Sequence, residues 1–204
     1  MSQTAQSGAG FPPGHVKWKR FAFIMVPAAA VAATLIGLTA QGAIGVNISV
    51  SGKEYLVTAN QFNGTGFEQF ATYVRQGNGS QPVAVNALRS AAIGNLCQAV
   101  STGVGNISIV LTAGTGHTPV SASNLIVDTS VQTGDATFRN IAIGQDAGTL
   151  RQVPGTTGAP GTLSLQADSI VIKHLAQNTW LTTAGTFTLP GLRLKVSTHR
   201  ATCP

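Results

Sequence analysis

The sequence predicts an all-β domain, a curved antiparallel sheet or a β-sandwich-like fold, preceded by one N-terminal transmembrane helix. Three observations carry this expectation. Short aliphatic alternations recur along the chain, as in "NISIVLTAG", "ASNLIVDTS" and "ADSIVIKHL", and a period of two marks a half-buried strand. Gly is abundant, at 24 residues, while charged residues make up 9% and aromatics 6%, which suits short strands joined by tight turns. The third is an uncharged apolar run, "FAFIMVPAAAVAATLIGL", at residues 21–38.

That run divides the chain. Eighteen helical residues span about 27 Å, close to the hydrocarbon thickness of about 30 Å. Lys17, Lys19 and Arg20 precede it without an acid, which puts the N-terminus inside and the rest outside. The expected organisation is a disordered cytoplasmic tail at 1–20, a transmembrane signal-anchor helix at 21–43 and an exported β-rich domain at 44–204. A cleaved signal peptide is the rival, since "LTAQGA" offers small residues for cleavage after Ala40 or Gly42. The expected localisation is the cell membrane, single-pass, with the C-terminal domain extracellular.

The exported part opens with Val46, Ile48 and Val50, then Tyr55 and Val57, which reads as a hairpin turning near Ser51-Gly52-Lys53. "NGTG" at 63–66 reads as a turn, and "FEQFATYVR" after it as a strand. Further on, Ile107, Ile109 and Leu111 share a face, as do Leu125 and Val127, Ile141 and Ile143, Leu163 and Leu165, and Ile170 and Ile172. Phe187 and Leu189, then Leu192, Leu194 and Val196, close the series. "VPGTTGAPGT" at 153–162 has no period and reads as a loop. Asn124-Leu125, Asn140-Ile141 and Ser169-Ile170 each start a triplet, at spacings too unequal for a solenoid. Successive antiparallel strands, apolar on one face, account for them.

Two readings of that smooth aliphatic face stand side by side. A second sheet closes it into an ordinary core, or it stays open and holds an apolar ligand. For the second reading the candidate lining is Ile107, Ile109, Leu125, Val127, Ile141, Ile143, Ile170 and Ile172.

Charge excludes one class of function. The net charge is +6, but only +3 remains beyond Arg20, on singly scattered Lys and Arg. Nucleic-acid binders cluster such charges, so no nucleic-acid partner is expected. No G-x-S-x-G elbow is present. His117, His174 and His199 could pair with Asp128, Asp135, Asp146 or Asp168, yet no spacing selects a trio. The chain has no H-E-x-x-H, C-x-x-C or acidic Ca²⁺ loop, so no metal or other cofactor is expected. Cys97 and Cys203 both fall on the exported side. An even count outside the cytoplasm favours a disulfide between them, with two free thiols as the alternative.

"VSGKEYLVTANQFNGTGFEQF", "PVAVNALRSAAIGNLCQAV", "GDATFRNIAIGQDAGTL" and "WLTTAGTFTLPGLRLKVS" together resemble an uncharacterised family of actinobacterial membrane-anchored envelope proteins, over nearly all of residues 16–204. Some members carry an automatic cholesterol esterase label. The resemblance implies a membrane-anchored envelope protein and, as a partner, a small multi-pass membrane protein. It carries over no catalytic residue. The expected function is a non-enzymatic envelope protein binding a lipid or other apolar ligand on its aliphatic face. A scaffold with a closed core is the alternative, and an esterase-like hydrolase comes third.

Overall fold

The computed structural model describes residues 53–77, 79–200 and 202–203, all within the compact unit Gly45–Pro204. The expected tail at 1–20, the helix at 21–43 and the first arm of the hairpin lie outside the described residues. No helix among the described residues is long and apolar enough to cross a membrane.

Among the described residues nine strands form one antiparallel sheet. They are β1 (Tyr55–Gln76), β2 (Gly79–Gly94), β3 (Leu96–Ser101), β4 (Ser108–Ala113), β5 (Val120–Arg139), β6 (Ala142–Asp146), β7 (Leu163–Thr183), β8 (Thr186–Thr188) and β9 (Arg193–Ser197), with a single 3₁₀ turn at Ala147–Thr149. The expected turn at 63–66 is instead interior to β1, and the expected loop at 153–162 is a loop. β1, β5 and β7 run 22, 20 and 21 residues. At about 3.3 Å per residue each would stretch roughly 70 Å. A domain of this size has a radius of gyration of only about 15 Å. Strands this long must therefore coil.

Coiling closes the sheet. β1 pairs with β2, β2 with β5, β5 with β7, and β7 with β1 again. The circuit can be walked residue by residue. Arg139 pairs with Ser169, Ser169 with Thr65, Thr65 with Ser90, and Ser90 with Ser123. It returns to β5 sixteen positions before it left, so the strands are steeply inclined to the barrel axis. The expected all-β, curved antiparallel sheet is present, and its curvature closes it into a barrel core in place of the sandwich-like alternative. The alternations fit either architecture; β7, bonded along both edges, makes the closure.

The interior follows a pattern that strict alternation misses. On β1 the inward residues are Ala59, Phe62, Gly64 and Phe67; across β2 into β3 they are Leu88, Ala91, Ile93 and Leu96; on β7 they are Ala167, Ile170, Ile172 and Leu175. Each series steps by three, two and three. Between the threes lie outward doublets such as Asp168-Ser169 and Lys173-His174. A doublet shifts the inward alternation by one residue while the pairing of β1 with β2 and β7 runs on through it. One residue of such a doublet takes positive φ at Gly66 (62°), Asn95 (53°), Asn124 (46°) and His174 (53°). Gly and Asn tolerate that region best. The doublets line up across strands: the pairs on either side bring Asp168, Gly66, Arg89 and Asn124 into one row. These creases roll the sheet.

Beyond the Gly66 crease, β1 turns its other face inward against a second small core of Phe70, Val85, Ala147 and Leu150. Residues 147–162 cover it as a strap. Glu68 holds the strap, its Oε1 accepting hydrogen bonds from the amides of Gln152 and, at 3.0 Å, Val153. Arg89 donates to the Gln152 carbonyl through Nε at 3.1 Å and Nη2 at 2.6 Å. Gln152 and Asn140 donate to the two oxygens of Asp168 at 3.1 and 2.7 Å. A Cβ at Gly66 would lie 3.0 Å from the Gln152 carbonyl oxygen, so this glycine supplies room as well as φ.

Candidate functional site

The eight residues expected to line one apolar face are dispersed. Leu125 and Val127 are buried in the barrel interior. The void there is about 30 Å³, walled by Phe62, Ile93, Leu175 and others. That is room for about one water, not for an acyl chain. Ile170 and Ile172 are buried in the same core cluster, and they also border an open groove. Ile109 is half-buried on β4, and Ile107, just before it, is exposed. Ile141 and Ile143 are exposed at β6, an edge of the sheet. Leu125, Val127, Ile170 and Ile172 thus share one buried cluster, and Ile107, Ile109, Ile141 and Ile143 lie outside it. The creases change which face each triplet presents, and two of the triplets lie on short peripheral strands outside the barrel.

The groove holds about 270 Å³ between β1, β7 and the second half of β5. Phe67, Phe138, Ile170 and Ile172 make its apolar part; Gln69, Gln132 and Thr133 make its polar rim. The Phe67 and Phe138 rings pack at a centroid distance of 5.7 Å. This volume falls just below the usual range for small-molecule sites, about 300–1,000 Å³.

Sequence reasoning missed the buried polar groups. Glu68 is fully buried, and its Oε2 has no hydrogen-bond partner among the described residues. Burial pushes its carboxyl pKa up, opposed by the amides of Val153 and Gln152 and by Arg89. Asp128 is buried near the β5–β7 ladder, and burial pushes it up to about 6. Tyr55, half-buried, is pushed up by burial, against its 2.6 Å hydrogen bond with Thr182. Asn86 accepts from Gln69 at 2.6 Å and donates to Thr129 at 3.0 Å. One signal was available: Asp128 interrupts the aliphatic run "LIVDTSV" where a solvent-facing strand would keep alternating.

Among the described residues the titratable groups do not assemble into a reactive constellation. His174 Nδ1 lies 3.0 Å from Asp135 Oδ2, with both side chains exposed. His117 is exposed, and His199 uses its backbone to contact Ser108 and Ser197. The carboxylates serve the fold. Glu54 accepts from Ser130, Asp146 caps Gly148 and Gly161, and Asp168 and Glu68 hold the strap. Among the described residues no group of three or more His, Cys, Asp or Glu could hold a metal ion.

Cys97 and Cys203 form a disulfide, with Cα atoms 5.8 Å apart and a sequence separation of 106. It ties the C-terminal end to β3. β3, β4 and β9 together form a flap extending from β1. At its end a cleft of about 530 Å³ is lined by Lys53, Ile107, His199 and Arg200 among others.

A profile of the Family of unknown function (DUF6230) matches residues 51–204. No curated protein and no solved structure matches the chain.

Proposed function

The chain belongs to the Family of unknown function (DUF6230), and from that premise we propose that it is a non-enzymatic structural module of the cell envelope. In this reading residues 21–43 anchor it in the membrane and the β domain stands outside as a scaffold. The observation that carries the reading is the interior. A barrel whose central void is about 30 Å³ is a packed core rather than a container. The Cys97–Cys203 disulfide supports an oxidising, extracytoplasmic setting. The use of the scarce carboxylates in strap and caps supports a structural rather than a catalytic role.

A second reading, binding of a short apolar ligand, is favoured by the groove over Ile170 and Ile172. Organic-solvent extraction of the purified full-length chain, followed by mass spectrometry, separates the two. The scaffold reading expects no apolar molecule near one per chain. The ligand reading expects one, and expects Ala136→Trp, which fills the groove, to remove it. Recovery of a stoichiometric ligand that Ala136→Trp abolishes would overturn the scaffold reading.

A further inference from the structure

We propose that the outer strand of the flap, β9, with the β3–β4 loop beside it, is a docking face for an anionic phospholipid bilayer. The proposal starts from side chains that ought to be buried and are not. Leu192, Leu194 and Val196 are 51%, 57% and 60% exposed, and Val104 in the β3–β4 loop is 69% exposed. They do not stand singly. Val196 pairs with Ile109 and Leu194 with Leu111, so β9 extends an apolar sheet face to an edge with nothing beyond it among the described residues. Contiguous exposed apolar surface of this kind marks an interaction site.

Charge selects the occupant. Arg193 and Lys195 project from the face of β9 opposite Leu194 and Val196, so the edge of the flap carries apolar side chains on one side and long cationic ones on the other, and Lys53 and Arg200 lie in the cleft at the end of the flap. The last acid in the chain is Asp168, and Glu54 lines a neighbouring pocket with Arg200. Apolar side chains beside several cations are what the interface of an anionic membrane attracts. A second copy of the chain fits less well. Antiparallel self-pairing centred on Leu194 would set Arg193 of each copy against Lys195 of the other, and charged edges of this kind oppose strand addition.

The tether agrees. Lys53, the first described residue, lines the same cleft as Ile107 and Arg200. Fourteen residues separate it from Leu38, the end of the uncharged apolar run, so the connection is at most about 50 Å long. This step rests on the proposal that residues 21–43 are in the membrane. Tethering raises the local concentration of bilayer at the flap, so a weak surface contact suffices.

The test uses the full-length chain in lipid nanodiscs, with hydrogen–deuterium exchange read at residues 192–197. Discs are made either of phosphatidylcholine alone or with phosphatidylglycerol added. Exchange at 192–197 should be at least roughly threefold slower in the anionic discs, and the difference should vanish at about 0.5 M salt, where the Debye length is only a few ångströms. Arg193→Gln with Lys195→Gln should erase it, and Leu194→Ser should weaken it. The other edge strand, 142–146, should exchange equally in both discs. A chain held in the discs with equal exchange at 192–197 everywhere overturns the docking and leaves the anchor standing. Protection at 192–197 by anionic discs of a chain that does not stay in neutral ones upholds the docking and removes the anchor. Protection already present in detergent micelles would mean that the chain itself or a second copy covers the face, and overturns the docking.

Discussion

Gly64 and Leu88 occupy one space: a Cβ built on Gly64 would lie 2.1 Å from Leu88 Cδ2, with Ile170 Cγ2 at 3.1 Å. Gly64 pairs with Ala91 on one side and Ile170 on the other, inside the barrel. Gly64→Ala should therefore lower stability by about 2–3 kcal/mol through overpacking, despite the better strand propensity of Ala. Adding Leu88→Ala should return part of the loss, so the double variant should be more stable than the sum of singles predicts. Urea melts of the four proteins measure this coupling. Strict additivity would mean that the two residues do not share the site.

The strap depends on Glu68. Glu68→Ala leaves two inward-facing amides, of Gln152 and Val153, without their acceptor, and a buried unsatisfied group costs about 1–3 kcal/mol. The expected result is a loss of about 2–4 kcal/mol and faster amide exchange across 147–162. Glu68→Gln keeps one carbonyl oxygen for both amides and should lose less. Equal losses in the two variants would show that the carboxylate matters for something other than holding the strap.

Asp128 should make the domain more stable in mild acid. Burial raises its folded pKa to about 6, above an unfolded value of about 3.9. The folded state therefore holds this proton more tightly. The favourable contribution is complete below about pH 4 and is lost as pH rises through about 6. Solvent screening keeps the effect to the order of 1 kcal/mol. Glu68, also shifted upward, acts in the same direction. The difference between wild type and Asp128→Asn isolates Asp128: the variant should gain on the wild type as pH rises from 4 to 7. A constant difference over that range contradicts the assignment.

Opening the disulfide should loosen the C-terminal end and the fold together. The loop it closes spans 106 positions, for which chain entropy allows about 4.7 kcal/mol, with smaller measured values common. Cys97→Ser/Cys203→Ser should lose about 2–4 kcal/mol in a denaturant melt and lose the shift that a reductant causes in the wild type. A variant melting with the wild type would leave the bond without structural consequence.

Much of the barrel was legible in "ADSIVIKHL", though not all for the reason first read from it. The pairing of Ile170 with Ile172, and of Leu125 with Val127, followed from period two and holds in the interior. The polar doublets on either side, Asp168-Ser169 and Lys173-His174, look like strand ends. They are creases, because β7 continues through both. A period of two cannot distinguish a strand that ends from one that shifts phase, so the length and coiling of β1, β5 and β7 stayed hidden. Ile141 and Ile143 carry the same local signal as Ile170 and Ile172, yet they sit at an edge. Which strand has a neighbour on both sides is fixed by long-range pairing, which local sequence does not record. Glu68 was hidden by the same logic: it is an acid between Phe67 and Phe70, and only the return of the strap buries it.

The central claim is that the barrel interior is a closed, packed core. It is tested most directly by thermal and denaturant unfolding of Ile172→Asp beside Ile143→Asp in the full-length chain. Ile172 is 4% exposed and Ile143 is 70% exposed, so the same substitution meets two environments. The closed core predicts that Ile172→Asp loses about 4 kcal/mol or more, or does not fold, because it buries an unpaired carboxylate. Ile143→Asp should stay within about 0.5 kcal/mol of the wild type. An Ile172→Asp protein that melts close to the wild type would mean that water reaches this position freely, and would contradict the closed core.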